Sequence, residues 1–211
     1  MPKFLLPRVY PITDRRLAGL SHAEQVAQLT TGGAKLIQLR EKQLEAGPFY
    51  EQARAAVRVA RTHGALIIIN DRVDIALAVE ADGVHLGQTD LPPEAARRLL
   101  GQKAIIGFST HNVEQAVAAT GLPIDYLAIG PIFPTASKEK PDPVVGLEGL
   151  KRVRASLKGL PLPLVAIGGI TRDNARSVIE AGADAVAVIS AVIAPDGSIE
   201  ARFRALERAL A

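Results

Sequence analysis

The sequence predicts an α/β protein that folds as a single (β/α)8 barrel of minimal size, the TIM-barrel architecture. Eight short, nearly continuous apolar runs alternate with longer amphipathic stretches along the 211 residues, a pattern typical of parallel strands that helices cover. Each strand–helix unit would have about 26 residues, close to the smallest that such a barrel allows. No linker rich in Pro, Gly or Ser divides the chain, and we therefore expect one domain over residues 1–211.

The composition narrows the classes of function. Apolar residues make up 48% of the chain and charged residues 22%, enough for a sizeable core. Aromatic residues are only 4%, which favours helices packed on buried parallel strands over an aromatic-rich sandwich. Cysteine is absent, and this excludes disulfides, thiolate metal sites and a cysteine nucleophile.

Charge and hydropathy set expectations about partners and location. The formal net charge is +3 without a run of like charges, so we expect no nucleic-acid partner. No apolar stretch reaches the length that spans a membrane, and Pro7 and Arg8 stop the short apolar run near the N-terminus. We expect a cytoplasmic protein with no membrane partner. A homo-oligomer is compatible with the sequence, which does not fix the oligomeric state.

Each apolar run is a candidate strand. The eight candidates are Val9–Thr13, Leu36–Leu39, Leu66–Ile69, Gly83–Leu86, Ala104–Phe108, Tyr126–Ile129, Leu164–Ile167 and Ala185–Ile189. Between them, apolar residues repeat at helical spacing in Gly47–His63, behind Pro48 in the first turn. Thr171 is predicted to cap a helix over Arg172–Ala181 that stops at Gly182.

Four similar junctions, at 31–37, 80–86, 121–127 and 180–186, each end a helix at or near Gly and begin a strand within a few residues.

An open doubly wound sheet is the alternative architecture. A dinucleotide-binding sheet would need G-x-G-x-x-G after its first strand, and the chain has none there. The barrel is therefore the preferred prediction.

A barrel places function just after the C-terminal ends of its strands. The second strand is followed by Arg40, Glu41 and Lys42, and alternation along an extended segment turns Gln38, Arg40 and Lys42 to one side, into the barrel mouth. A guanidinium next to an ammonium suits a phosphate or diphosphate. The alternative is a solvated charged loop.

Carboxylates follow the third and fourth strands. Asn70 and Asp71 come after the third strand, and Asp90 comes after the fourth. The two aspartates can converge on one divalent cation, and Mg²⁺ favours a few carboxylates together with waters and phosphate oxygens. The alternative is that these residues cap the helices that begin near Val73 and Pro92.

Hydroxyl groups and glycines follow the later strands. Ser109 is expected at a helix start, either as part of an anion site or only as a cap, and His85 is expected to lie buried behind the site. The loop 130–143 is the longest, and such a loop in a minimal barrel is usually functional. Gly168, Gly169 and Ser190 follow the last two strands, where this fold usually binds phosphate. The glycines could instead serve only a tight turn.

These groups predict two anionic subsites in one mouth. The basic, metal-assisted half on strands two to six suits a diphosphate, and the half on strands six to eight suits a monophosphate. The sequence offers no Ser–His–Asp or Cys–His arrangement for nucleophilic catalysis. A transfer between two phosphorylated small molecules, with diphosphate as the leaving group, is the remaining chemistry.

The ordered motifs resemble the thiamine-phosphate synthase family, also called thiamine-phosphate pyrophosphorylase. The resemblance covers nearly the whole chain and rests on YPITD at 10–14, QLREK at 38–42, IND at 69–71, GVHLGQ at 83–88, Asp90, GFS at 107–109, GPIFPT at 130–135, Lys138, IGG at 167–169 and IS at 189–190. The family joins hydroxymethylpyrimidine diphosphate to a thiazole ethyl phosphate and releases diphosphate. Each motif alone is weak, whereas the ordered set is specific.

The resemblance implies a role for each matching residue. Asp71 and Asp90 would hold Mg²⁺, and the groups that act in the reaction would be Arg40, Lys42, Ser109 and Lys138. The pyrimidine diphosphate would be bound by Gln38, Leu39, Arg40, Glu41, Lys42, Asn70, Ser109 and Lys138. The thiazole phosphate would be bound by Thr135, Ala136, Ser137, Gly168, Ile189 and Ser190. Ser137 stands where the family often has Thr, and the hydroxyl donor is kept.

Two other functions are compatible with a barrel of this kind. A thiazole tautomerase resembles the family closely but uses a histidine in the loop after the sixth strand, and residues 130–132 contain none. A non-catalytic sensor of a phosphate ligand would need only the glycine-rich site. Neither alternative requires the set of Asp71, Asp90 and Lys138, which favours the synthase.

Overall fold

Eight parallel strands close into a barrel in chain order, and this confirms the predicted fold class. The computed structural model describes residues 5–135, 142–195 and 198–211. The strands are β1 (Val9–Thr13), β2 (Leu36–Leu39), β3 (Leu66–Asn70), β4 (Gly83–Leu86), β5 (Ile105–Thr110), β6 (Tyr126–Ile129), β7 (Leu164–Ile167) and β8 (Ala185–Val188). Strand β1 pairs with β8, where Tyr10 lies opposite Ala187, and this pairing closes the barrel.

Helices connect successive strands and pack on the outside of the barrel. In the described ranges they are α1 (Arg15–Ala18), α2 (His22–Thr31), α3 (Ala46–Thr62), α4 (Val73–Ala78), α5 (Pro93–Leu100), α6 (Val113–Ala119), α7 (Gly146–Ser156), α8 (Ala175–Glu180) and α9 (Ile199–Leu210). Within those ranges, no helix has the length and apolar character needed to cross a membrane.

The ends of some elements differ from the prediction. Strand β5 is shifted toward its C-terminus, because Ser109 and Thr110 continue the pairing with β6 opposite Ala128 and Ile129. Strand β3 extends to Asn70, and β8 ends at Val188 rather than at Ile189.

The predicted helix 47–63 is confirmed to within one residue at each end, whereas the predicted cap of the helix after β7 is wrong. Residues 172–174 form turns, and α8 begins at Ala175. The side chain of Asn174 accepts a hydrogen bond from the backbone N–H of Thr171 at 2.8 Å. Thr171 is therefore held in the turn and does not cap a helix with its own side chain.

Apolar side chains fill two layers, one outside the barrel wall and one inside it. Phe49 and Leu29 belong to the outer layer, between the sheet and the helices. Tyr10, Tyr126 and Ile68 belong to the inner layer, which fills the barrel. The two layers follow from the alternation of side chains along each strand.

Three aspartates fix the relative position of neighbouring strands at the end opposite the mouth. Each lies directly before an even-numbered strand and accepts a hydrogen bond from a backbone N–H near the start of the preceding strand: Asp82 from Ile67 (2.7 Å), Asp125 from Ile106 (2.8 Å) and Asp184 from Leu164 (2.7 Å). Because hydrogen bonds to a carboxylate are stronger than neutral ones, these contacts hold strands in pairs. Two of them lie in the junctions that the sequence repeats, at 80–86 and 180–186, and Asp125 lies in a third.

A buried histidine makes the stability of the fold depend on pH. His22 is fully buried at the start of α2, with Nδ1 at 2.8 Å from the hydroxyl of Thr13. Burial lowers the pKa of His22 from its usual 6.5 to about 4, although the nearby carboxylate of Glu41 acts in the opposite direction. In the unfolded chain, His22 therefore takes up a proton as the pH falls through about 6.5, whereas in the folded chain it does so only near pH 4.

We predict that stability falls as the pH drops from 6.5 toward 4, with His22 contributing up to about 3 kcal/mol of the loss. Urea unfolding of the wild type and of His22→Gln at several pH values measures this contribution, and the variant should show a shallower decline. His63→Gln, which removes an exposed histidine, is the matched control and should keep the wild-type slope. Equal slopes for His22→Gln and the wild type would contradict the prediction.

Candidate active site

The end of β2 and the segment that follows it divide their side chains between the two sides of the barrel wall. Gln38 is buried inside the barrel and its Nε2 donates to the hydroxyl of Tyr10 at 3.1 Å. Leu39 belongs to the outer apolar layer. Arg40 lies 3.5 Å from the carboxylate of Asp14, after β1, and Lys42 forms an ion pair with Asp71, after β3. Both cations thus contact residues that follow neighbouring strands, as the predicted alternation requires.

Glu41 anchors this segment from the opposite side. Its carboxylate, 6% exposed, accepts hydrogen bonds from the backbone N–H groups of Gln43 (2.8 Å) and Leu44 (3.3 Å) and from Arg15 (3.3 Å). Burial raises the pKa of Glu41, but these donors outweigh burial and lower the pKa below its usual value. The side chain of Glu41 is therefore directed at the loop backbone and α1 rather than at the mouth.

Asp71 has an unusual backbone conformation at the end of β3. Its φ is 61°, a region that few residues other than glycine adopt. The N–H of Arg72 donates to the carbonyl of Asn70 (2.7 Å), and the N–H of Asp71 donates to the carbonyl of His85 (2.8 Å). Backbone strain of this kind is concentrated at functional sites.

The capping alternative for the two aspartates is wrong. Helix α4 has Arg72 at its N-cap and α5 has Pro92, and neither N-cap position makes a side-chain capping hydrogen bond. Asp90 instead accepts a hydrogen bond from the N–H of Gly87 at 2.7 Å. Neither aspartate therefore occupies the N-cap of the helix that follows it.

Asp71 and Asp90 are neighbours in space, as the sequence predicts. Burial raises the pKa of Asp90, and the adjacent carboxylate of Asp71 raises it further, against the opposing effects of the Gly87 N–H and of Lys42. The effect of Asp71 on Asp90 places the two carboxylates close enough to interact directly.

The donor set fits a hard divalent cation. Two adjacent carboxylates supply the oxygen ligands that Mg²⁺ prefers, and Mg²⁺ commonly takes its other ligands from water and substrate phosphates. No group of three or more His, Asp or Glu side chains with metal-site geometry occurs in the described part of the chain. A cation held by Asp71 and Asp90 would therefore depend on water and substrate to complete its shell.

Ser109 lies within β5 and not at a helix start, which corrects the prediction. Helix α6 begins at Val113 and is capped by Asn112, whose side chain accepts from the N–H of Gln115 at 2.8 Å. The Ser109 hydroxyl is hydrogen-bonded to Nε2 of His85 at 2.8 Å. His85 is buried, as expected, and so is Asn70.

The glycines after β7 allow the loop after β6 to pack closely. Gly168 and Gly169 have φ values of 101° and 65°, which a side chain would make costly. A Cβ on Gly168 would lie 2.6 Å from Cα of Pro131, and one on Gly169 would lie 2.6 Å from the carbonyl oxygen of Pro134. The turn alone therefore requires glycine at both positions, and the two glycines by themselves are not evidence for a phosphate site.

Three other residues predicted for this half lie in the described part of the chain. Ile189 and Ser190 form the turn that follows β8, and Thr135 lies in the loop after β6. Ala136, Ser137 and Lys138 lie outside the described residues.

The sequence patterns gave no role to three polar side chains of this region. The hydroxyls of Tyr10 and Tyr126 lie 3.0 Å apart inside the barrel. Gln88 is exposed after β4 and donates to the carbonyl of Ser109 at 2.6 Å. The one available signal was two tyrosines within predicted strands of a chain that has three tyrosines in all.

The fold and the mouth define a class of protein, a TIM barrel with a pair of carboxylates and two basic side chains at the C-terminal ends of its strands. Within that class, the chain belongs to the thiamine monophosphate synthase family, whose model matches residues 9–192.

Similar proteins support the same assignment over most of the chain. The thiamine-phosphate synthase of Moorella thermoacetica is 50% identical over 182 residues, which are 86% of this chain and 85% of the relative. That of Clostridium novyi is 45% identical over 190 residues, covering 90% and 92% of the two chains. The solved structure of thiamine phosphate pyrophosphorylase from Pyrococcus furiosus is 39% identical, with a TM-score of 0.84 over 96% of this chain and 95% of its own.

We predict that Glu41→Ala weakens the binding of diphosphate in the presence of Mg²⁺ by roughly tenfold, because the loop that presents Arg40 and Lys42 loses its anchor. Calorimetric titration with inorganic diphosphate measures the dissociation constant. Glu45→Ala, at an exposed position in the same loop, is the control and should bind as the wild type does. Unchanged binding by Glu41→Ala would refute the anchoring role.

Proposed function

We propose that this chain is a transferase of thiamine biosynthesis that joins hydroxymethylpyrimidine diphosphate to a thiazole ethyl phosphate, giving thiamine phosphate and diphosphate. Membership of the family supports the reaction. The observation that most directly supports the site is the adjacent pair of Asp71 and Asp90, with Lys42 against Asp71.

The basic half of the mouth would take the diphosphate. Lys42 contacts Asp71 of the carboxylate pair, and Arg40, two residues earlier in the same segment, lies beside Asp14. A Mg²⁺ held by Asp71 and Asp90 would supply further positive charge to the diphosphate oxygens. Negative charge grows on those oxygens as the leaving group departs, and fixed cations stabilise it. Lys138 would add a further positive charge. The same substrate would also be bound by Gln38, Asn70 and Ser109. The side chains of Leu39 and Glu41 face away from the mouth, so these two residues would contact the substrate through their backbone.

The transfer exchanges one bond for another. The bond between the pyrimidine methylene carbon and the diphosphate oxygen breaks, and its electron pair leaves with the diphosphate. The thiazole ring nitrogen then donates its lone pair to the same carbon and becomes positively charged. No proton moves at the reacting carbon, so the protein needs to position the two substrates and stabilise charge.

The other half of the mouth would anchor the thiazole phosphate. Ser190 would offer its hydroxyl after β8, and Gly168 would offer its backbone N–H after the neighbouring strand β7. Thr135, Ala136, Ser137 and Ile189 would complete this subsite. Placing the phosphate here holds the thiazole nitrogen toward the pyrimidine carbon, which replaces a bimolecular encounter by a prearranged one.

The activity is tested by the release of inorganic diphosphate from the purified protein with Mg²⁺ and both substrates. We expect equal amounts of diphosphate and thiamine phosphate, and none of either when one substrate is left out. A tautomerase would convert the thiazole phosphate alone, and a sensor would bind it without reaction. Either of those results, without diphosphate release, would overturn the proposal.

We predict that Asp90→Asn lowers the turnover number by roughly a hundredfold or more, because the cation loses one of two carboxylate ligands. Excess Mg²⁺ should restore part of the activity. Asp74→Asn changes an exposed aspartate that pairs with Arg72 on the nearby helix α4, and it should leave turnover unchanged. Turnover of Asp90→Asn equal to that of Asp74→Asn would rule out the metal role.

A further inference from the structure

A row of hydrogen-bonded side chains crosses the inside of the barrel and ends at Ser109. Nε2 of Gln38 donates to the hydroxyl of Tyr10 (3.1 Å), and that hydroxyl lies 3.0 Å from the hydroxyl of Tyr126. The Tyr126 hydroxyl lies 2.9 Å from Nδ1 of His85, and Nε2 of His85 lies 2.8 Å from the hydroxyl of Ser109. The two ends of the row are Gln38 and Ser109, and both would bind the pyrimidine diphosphate under the proposed function.

A missing side chain on β5 makes the row possible. His85 on β4 and Tyr126 on β6 both lie opposite Gly107, on the strand between them. A Cβ on Gly107 would lie 2.3 Å from the Tyr126 hydroxyl oxygen and 2.5 Å from Nδ1 of His85. The two side chains therefore meet across β5 with their rings stacked, at a centroid distance of 5.5 Å.

The direction of the hydrogen bonds follows from the buried end of the row. Burial raises the pKa of Tyr10 and of Tyr126, so both phenols keep their protons. Within the described part of the chain, the Tyr10 hydroxyl has two hydrogen-bond neighbours, Nε2 of Gln38 and the hydroxyl of Tyr126. Gln38 Nε2 is a donor and cannot accept the Tyr10 hydrogen. Because a buried donor without an acceptor is costly, the Tyr10 hydroxyl donates its hydrogen bond to the Tyr126 oxygen.

The same logic extends to His85 and Ser109. A Tyr126 hydroxyl that accepts from Tyr10 can donate to Nδ1 of His85, which then has its proton on Nε2. That N–H donates to the Ser109 hydroxyl oxygen. The Ser109 hydroxyl then accepts from His85 and can donate its own hydrogen bond to another acceptor.

We propose that His85 is a positioning residue, held by Tyr126 as the tautomer with its proton on Nε2, and that it makes Ser109 a hydrogen-bond donor to the pyrimidine diphosphate. The role in catalysis rests on the proposed function, whereas the tautomer does not. Tyr10 and Tyr126 act through His85 and never need to touch the substrate.

The tautomer is measured by nitrogen-15 NMR of the histidine rings in the protein without substrates. We expect His85 to show a protonated Nε2 and an unprotonated Nδ1. Tyr126→Phe should lose this preference and show a mixture, and Tyr10→Phe should change it in the same direction if the first variant does not fold. Tyr50→Phe changes the third tyrosine, on the outer helix α3, and should leave the spectrum unchanged. A proton on Nδ1 of His85 in the wild type would overturn the inference.

The role in catalysis is measured by a double-mutant cycle. We expect Tyr126→Phe to lower kcat by about tenfold, with the KM for thiazole phosphate unchanged, because one oriented donor is lost. The double variant Tyr126→Phe with Ser109→Ala should be no slower than Ser109→Ala alone, since both changes remove the same contact. Independent, multiplying losses would show that Tyr126 acts elsewhere.

The two measurements separate the inference from the proposed function. A protein that has the expected tautomer but releases no diphosphate would contradict the proposed function and leave the hydrogen-bonded row intact. An active enzyme with the proton on Nδ1 of His85 would contradict the inference alone.

Discussion

Closure of the parallel sheet, with β1 paired to β8, is the constraint on which the rest of the structure depends. Because all eight strands run the same way, the side chains that follow them share one mouth. Asp71 and Asp90 come from different strand–helix units, yet their carboxylates lie close together, and Lys42 from a third unit contacts Asp71. Asp82, Asp125 and Asp184 stabilise the strand pairs from the opposite end. The site is therefore a consequence of barrel closure rather than of any single motif.

The barrel wall separates groups that fix the site from groups that face the substrates. Glu41 lies on the outer side and binds backbone N–H groups, while its neighbours Arg40 and Lys42 contact residues at the mouth. Inside the barrel, a row of polar side chains lies among apolar ones, and Gly107 leaves the space in which His85 and Tyr126 meet. Ion pairs and backbone contacts hold the charged groups at the mouth, and buried neutral hydrogen bonds hold Ser109.

Local patterns were enough to predict the strands, the alternation after β2 and the convergence of Asp71 with Asp90. They failed where a position depends on a hydrogen bond to one particular residue, which the periodicity of apolar side chains does not identify. Ser109 belongs to β5 because it pairs with β6, and Thr171 lies in a turn because Asn174 accepts its N–H. Tyr126 and His85 meet because both lie opposite Gly107, which depends on how β4, β5 and β6 are aligned with one another. The pattern within a single strand does not determine that alignment.

A crystal structure with Mn²⁺ in place of Mg²⁺ and with inorganic diphosphate would test the proposed metal site, because anomalous scattering locates the metal. We predict one metal bound by carboxylate oxygens of both Asp71 and Asp90 and by an oxygen of the diphosphate, with Arg40 and Lys42 around the same anion. A metal that touches neither aspartate, or a diphosphate bound away from these cations, would contradict it.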